Sequence, residues 1–282
     1  MEDATPATCQ EDGENFLAAD EHSRRAASFG AAASAYARHR PDYPVAAIRW
    51  ALAPLAEIGR PLDTLDLGAG TGKLTAQLAG LSTDAGRVNV VAVEPDPGML
   101  AELRRQVPGV TALEGRAEAI PLPDASVDAV LAGQAAHWFD LDRALPEIAR
   151  VLRPGGVLAG LWNADDASVD WVVGLHEASG RRTVAPILGP QEQDHATSAW
   201  MSEVSKRFFL PAEHSEFGHS HIRTAESMVE TLATHSLFLI MEDAQREAAL
   251  TDVREFLAAT PQTASGEFAL PLVTLTLRAV RR

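Results

Sequence analysis

The sequence predicts an α/β protein built on a parallel, doubly wound sheet, and three observations carry this. Between Leu62 and Asn163, short apolar runs of strand length alternate with helical patterns, as in repeated strand–helix–strand units. The runs, such as Val90-Val91-Ala92-Val93, are too continuously apolar to leave one face wet, so helices must cover the sheet on both sides. The first run ends in Leu65-Asp66-Leu67-Gly68-Ala69-Gly70-Thr71-Gly72, where alternating glycines join strand to helix; without Cβ the main chain turns sharply and can lie against a ligand.

In chain order, Phe29 to Arg38 reads as a helix, and Pro44 opens a second at its first turn, running to about Ile58. Pro61 breaks the chain ahead of the first strand. After the alternating region, Ser168 to Leu210 is helical in pattern, interrupted around Pro186 to Pro190. A strand follows near Glu213 to Ile222, then a helix that Thr224 can cap, another to about Ala258, and a final strand from Phe268 to Leu277. The chain thus divides into a disordered acidic tail (1–24), N-terminal helices forming a lid (25–60), the core (61–165), a helical cap insertion (166–210) and a C-terminal part completing the fold (211–282).

The 282 residues, 46% of them hydrophobic, suffice for a full core. A formal charge of -15 argues against nucleic acid as a partner, because affinity for phosphate backbones comes from clustered Lys and Arg. The single cysteine, Cys9, has no partner for an intrachain disulfide, and Met1 through Glu21 lacks an apolar segment. No run reaches the length of a membrane span. The expectation is a cytoplasmic enzyme with neither membrane nor nucleic-acid partner, and the excess of Arg over Lys with abundant Ala hints at a bacterial source.

Spacing narrows the ligand. A dinucleotide fingerprint, G-x-G-x-x-G, would need glycine where Lys73 stands, and a P-loop would need glycine at Leu67 and a hydroxyl at Leu74. A carboxylate two residues before the turn repels pyrophosphate and favours an ammonium and a sulfonium. S-adenosylmethionine carries both.

At this point the chain resembles the class I S-adenosylmethionine-dependent methyltransferases, whose first motif, E/D-x-G-x-G-x-G, is matched in full from Asp66 to Gly72. The resemblance implies a Rossmann-like seven-stranded sheet with an antiparallel last strand. It implies cofactor contacts from Asp66, Gly68, Ala69, Gly70 and Gly72, and from Glu94 on the ribose hydroxyls, a carboxylate suiting that role because it accepts two hydrogen bonds. Pro95 and Met99 would follow on the nucleoside, Ala117 and Glu118 in the adenine loop, and Gly133 and Gln134 near the methionine portion. Many relatives carry Asp where this chain has Arg116, which shifts adenine recognition to Glu118 or main-chain carbonyls. Val151-Leu152-Arg153-Pro154-Gly155-Gly156 matches the family's turn into its next strand. Tyr36, Arg40 and Tyr43 resemble an N-terminal signature of small-molecule methyltransferases of the type 11 kind, including relatives of trans-aconitate methyltransferase; Arg40 would bind the methionine carboxylate, and Tyr36 and Tyr43 would face the substrate.

The cofactor then dictates the chemistry. Methyl transfer from a sulfonium is an in-line displacement, so the protein aligns the partners and excludes water. A base is needed only where the acceptor must lose a proton. His137, just past a strand end, is the candidate, with Trp138 and Phe139 as an aromatic wall for the acceptor. His176, His195, His214, His219, His221 and His235 fall in or beside the cap, where one could supply a second base. None has metal-ligand spacing, and no metal is expected. The expected reaction is methylation of oxygen, nitrogen or carbon on a small molecule; a cyclase or decarboxylase on the same fold, or a non-catalytic cofactor-binding regulator, stand as alternatives.

Overall fold

The structure is a computed structural model, described here for residues 40–83, 86–180, 203–233, 238 and 241–282. Tyr36, the helix expected over Phe29 to Arg38, the acidic tail and the break around Pro186 to Pro190 lie outside the described residues.

Strands β1 (Asp63–Leu67), β4 (Asn89–Glu94), β5 (Thr111–Glu114), β6 (Val127–Gly133), β7 (Leu152–Asp165), β8 (Glu213–Arg223) and β9 (Phe268–Val280) form a seven-stranded sheet in the order β5-β4-β1-β6-β7-β9-β8. The first five run parallel, and β9 is antiparallel to both β7 and β8. The Rossmann-like sheet with its reversed last strand is therefore as expected. A short hairpin, β2 (Ser82–Thr83) with β3 (Gly86–Arg87), stands apart.

Helices α1 (Val45–Leu52) and α2 (Lys73–Gly80) cover one face, where Ala47, Ile48, Leu74 and Leu78 pack on Leu131, Val157 and Leu161. On the same side α3 (Pro97–Gln106) places Leu103 beside Ala69 and Ala92, and on the other α4 (Leu141–Val151) packs Leu145 and Ile148 against Val130, Leu158 and Leu277. The core is thus two-sided, as continuous apolar strands require. The second helix expected from Pro44 is α only to Leu52; Ala53–Ile58 tightens into a 3-10 turn at Pro54, which has no N–H to extend the α ladder.

Beyond β7, α5 (Asp170–Ala178), α7 (Ala225–Ala233) and α8 (Asp243–Ala259) bury Val172, Leu175, Met228, Leu232, Val253 and Leu257 against Phe268, Leu270 and Leu272 at the start of β9. Between them, α6 (Glu203–Phe208) leads to Phe209 in the α4-side core. Thr224 caps α7 as its sequence suggests: its Oγ1 accepts from the Ser227 N–H at 3.2 Å, while Ser227 Oγ accepts from the Thr224 N–H at 2.9 Å.

The amino edge of the sheet is closed by charge. Asp128, buried at the start of β6, accepts two hydrogen bonds from Arg60 at 2.8 and 2.6 Å, one from Arg153 at 2.8 Å and one from the Asp63 N–H at 2.9 Å. Arg153 also pairs with Asp63 at 3.0 Å. These donors hold the Asp128 carboxyl below its ordinary range despite burial.

Candidate active site

The opposite, carboxyl edge gathers most of the residues singled out in the sequence. The glycine loop leaves β1 with Gly68, Gly70 and Gly72 at φ +69, +56 and +90, a backbone that residues with Cβ adopt at a cost. The three have different neighbours. A Cβ on Gly68 would lie 2.7 Å from the Ala135 Cβ, and one on Gly72 about 3 Å from Leu103 and Val107, so these two glycines let the loop seat against the fold itself. Among the described residues a Cβ on Gly70 would meet only Met99 Sδ, at 3.8 Å. The middle of the loop therefore faces space left open by the described residues, which is where a ligand would lie.

Asp66 is fully buried under this loop. Its Oδ2 accepts from Thr75 Oγ1 at 2.5 Å, while Oδ1 is buried with no hydrogen-bond partner among the described residues. Burial pushes its carboxyl up to about 7, against the pull of Thr75 and with a further push from Glu94. The Thr71 hydroxyl, in the loop, is also buried and has no partner among the described residues.

Glu94 ends β4, 24 positions beyond Gly70, and bridges to the loop: Oε2 accepts from the Gly70 N–H at 2.8 Å and Oε1 from the Asp96 N–H at 2.9 Å. Burial raises its carboxyl above the usual range, and these two N–H donors oppose the rise. Asp96 caps α3 through the Met99 N–H at 2.8 Å, which holds Met99 at the loop, while Pro95 is exposed. Ala117 is buried and belongs to the α4-side core. Glu118 accepts from the Asp140 N–H at 2.9 Å and pairs at 3.9 Å with Arg116, whose side chain is mostly exposed.

Beyond β6, Gln134 takes a left-handed φ of +54, uncommon for a residue with a side chain and a sign of local strain at this edge. Its side-chain amide donates to the Asn163 carbonyl at 2.9 Å. Tyr43 is buried on the end of β6: a Cβ on Gly133 would lie 2.6 Å from its hydroxyl oxygen. The glycine at 133 thus makes room for Tyr43, and the segment around Arg40 to Tyr43 crosses this edge as a strap. Asp42, in the strap, pairs with Lys73 at 3.1 Å, and its carbonyl accepts from Asn163 Nδ2 at 3.3 Å.

His137 sits in a short 3-10 turn, Ala136–Trp138, with an exposed side chain. Its Nδ1 accepts from the indole N–H of buried Trp162 at 3.4 Å, and its ring lies 5.1 Å from that of Trp138. Phe139 is partly buried against the α4-side core, with its ring near Gly68. His176 in α5 is buried and bonds Asp165 through Nε2 at 2.7 Å.

Sequence reasoning did not find Thr75, Trp162, Asn163 or Thr274. Thr75 reaches Asp66 across 9 positions and the others reach partners 25 or more away, so no local pattern marks them; Asp96, by contrast, stands before Pro97 as an ordinary helix-start signal. Among the described residues no three His, Cys, Asp or Glu side chains converge as a metal site, and no helix is long and apolar enough to cross a membrane.

A doubly wound sheet with a reversed seventh strand, a three-glycine loop after the first strand and an acid at the next strand end together define a class I methyltransferase. Comparison with known proteins agrees. Residues 65–160 match the family model described as a methyltransferase domain. The chain is 42% identical over 253 residues to an uncharacterized methyltransferase of Mycobacterium tuberculosis, covering 89% of this chain and 95% of that one. It is 42% identical over 113 residues, 38% of this chain and 40% of the other, to a malonyl-[acyl-carrier protein] O-methyltransferase of Methylococcus capsulatus. A solved structure of a candidate type II methyltransferase from Anaeromyxobacter dehalogenans superposes with a TM-score of 0.61 at 30% identity, covering 86% of this chain and 97% of that one. The chain belongs to the class I S-adenosylmethionine-dependent methyltransferase family, in its small-molecule branch, and is a transferase of methyl groups.

Proposed function

We propose that this chain binds S-adenosylmethionine at the carboxyl edge and transfers its methyl group to a small-molecule acceptor enclosed by the strap and the helices beyond β7. The observation that carries the reading is the buried Asp66 Oδ1, which has no donor among the described residues and lies beneath a loop whose middle glycine meets none of them but Met99. An acid in that position is suited to a cationic ligand, because burying an unpaired carboxylate is costly and a positive partner removes the cost.

When bound, the cofactor supplies an electrophilic methyl carbon on a positively charged sulfur. The roles of the chain's own residues follow from their placement. Asp66 and Thr71 would face the polar end of the ligand, and Gly68, Ala69, Gly70 and Gly72 would offer it backbone. Glu94 retains acceptor capacity on both oxygens for the ribose hydroxyls. Pro95 and Met99 would flank the nucleoside, and Ala117 and Glu118 the adenine. Gly133 and Gln134, with Arg40 of the strap, would complete the methionine end. The strap and Tyr43 would close the crevice, and excluding water strengthens each polar contact inside it. Trp138, Tyr36 and Tyr43 are assigned to the acceptor side.

The matched stretch of the malonyl-carrier enzyme covers too little of the chain to carry its acceptor over. The test is titration with S-adenosylhomocysteine in a calorimeter, followed by incubation with methyl-labelled S-adenosylmethionine and a panel of phenols, alcohols, amines and carboxylic acids. Heat of binding and label in a product are expected. Absence of heat would refute the cofactor assignment, and product formed without label would refute methyl transfer.

A further inference from the structure

The histidines near the carboxyl edge differ in which ring nitrogen is available. His137 Nδ1 takes the Trp162 N–H. His176 bonds Asp165 through Nε2 and has its Nδ1 buried. His221 Nε2 lies 3.2 Å from Arg223, which can only donate, so that lone pair is used. His219 is different. Its Nε2 lies 2.9 Å from Thr274 Oγ1, and Thr274 Oγ1 donates to Asn163 Oδ1 at 2.6 Å.

The orientation of each member follows from the next. Asn163 must point its Nδ2 at the Asp42 carbonyl, since an amide oxygen there would face another acceptor. Its Oδ1 is then left to accept from Thr274, which commits the hydroxyl proton. Thr274 can only accept from His219, so the neutral ring carries its proton on Nε2 and a lone pair on Nδ1. That Nδ1 has no partner among the described residues and is not sealed from solvent. Protonation at Nδ1 would leave the Nε2–H donor and the whole chain of bonds intact.

The placement suits an acceptor crevice. His219 pairs with Leu272, which pairs in turn with Asp165, the last residue of β7. Phe217, His219, His221 and Arg223 form the more buried side of β8, and Phe217 packs in the core under α1 and α2. Lys73 at the start of α2 and Asp42 of the strap act electrostatically on neighbouring His221. The network ends at Asn163, whose carbonyl holds the Gln134 side chain. Burial lowers the basicity of His219, so the ring is neutral near pH 7.

We propose that His219 is the general base of the methyl transfer, with Thr274 and Asn163 as positioning residues, and that the acceptor's nucleophilic atom is a hydroxyl oxygen or amine nitrogen carrying a proton. A carboxylate acceptor would need no base. The proposal rests on the methyl-transfer reading above. In the step, an acceptor lone pair forms the new bond to the methyl carbon, and the sulfur–methyl bond breaks with its electron pair left on sulfur. The acceptor proton passes to His219 Nδ1. One positive charge disappears at sulfur and one appears on the imidazole.

Two measurements on the full chain saturated with S-adenosylhomocysteine test this. In protein labelled with 15N-histidine, with the His219→Gln variant identifying the resonance, His219 is expected to show a protonated Nε2 and a bare Nδ1. Thr274→Val should release that preference. A proton on Nδ1 in the parent protein overturns the proposal whatever the acceptor. Gln at 219 can still donate to Thr274, so that variant keeps the fold and the heat of binding S-adenosylhomocysteine. With methyl-labelled S-adenosylmethionine and the same acceptor panel, its transfer rate should fall about 100-fold or more, the usual contribution of a general base, and a rate within about threefold of the parent overturns the assignment. Label confined to carboxylic acids, or found in no hydroxyl or amine, overturns it too. If the parent protein binds no S-adenosylhomocysteine, the cofactor reading has failed first.

Discussion

Asp128 opens β6 at the amino edge and Asp66 nears the end of β1 at the carboxyl edge; both are buried aspartates on neighbouring strands of one sheet. Asp128 is surrounded by donors, two arginines and a backbone N–H, which lower its carboxyl. Asp66 has one hydroxyl on one oxygen and nothing on the other among the described residues, and its carboxyl rises to about 7. The first edge is electrostatically complete, while the second lacks a positive charge that a ligand can bring. Stability and ligand binding are therefore expected to separate by edge.

The comparison can be broken most directly at Asp66. Asp66→Asn should weaken S-adenosylhomocysteine binding by about 3 kcal/mol, on the scale of losing one partner of a buried charge pair, while leaving the folded protein as stable or more so at pH 8. The pH dependence follows from the raised carboxyl. The folded state holds this proton where the unfolded chain has lost it, so the stability this group contributes is full below about pH 4 and is lost as pH rises toward about 7. A cationic ligand needs the ionised form, so affinity should climb as pH approaches about 7 and then level off. In Asp66→Asn that slope should vanish, and calorimetry across this range checks it.

Asp128→Ala should do the reverse. Removing one member of a buried ion cluster costs about 3 to 5 kcal/mol, but Arg60 and Arg153 are 44% and 32% exposed and can turn to water, so about 2 kcal/mol is expected after discounting for screening. Urea unfolding measures it, and affinity for S-adenosylhomocysteine should stay within about twofold, since surface screening confines the effect to the amino edge. Because the Asp128 carboxyl is lowered, its stabilisation is present above about pH 4 and is lost as pH falls through its folded value.

The smallest expected effects sharpen the comparison inside the loop. Gly68→Ala drives a Cβ to 2.7 Å from Ala135 and should cost about 2 kcal/mol of stability through overpacking and backbone strain. Gly70→Ala meets no atom of the described residues nearer than 3.8 Å. Its stability loss should be about 1 kcal/mol from φ alone, with a roughly tenfold loss of affinity as the larger sign. Equal losses of affinity in the two variants would show that the middle glycine has no special relation to the ligand.

Much of this was legible in residue order. The period of the apolar runs forecast the parallel sheet and its two covered faces, and the glycine spacing with Glu94 pointed to the strand ends that meet through the Gly70 N–H. The turn at Thr224 was readable because a cap is a local signal. What stayed hidden depends on partners far apart in sequence. Arg60 and Arg153 meet Asp128 across 68 and 25 positions, and Thr274 reaches Asn163 across 111. His137 was visible as a histidine at a strand end, but the indole that occupies its Nδ1 comes from Trp162, 25 positions away. Glycine 133 was legible as small, and only the packed strap explains that it accommodates Tyr43.

The reversal of β9 has a practical corollary. Running against β7, it carries the last residues away from the crevice, where Arg281 exchanges backbone bonds with Gly155 and Gly156, and the Arg282 N–H reaches the Phe208 carbonyl. A tether or affinity handle attached after Arg282 would emerge at the amino edge, away from the proposed crevice, so molecules immobilised that way would keep the carboxyl edge turned from the support.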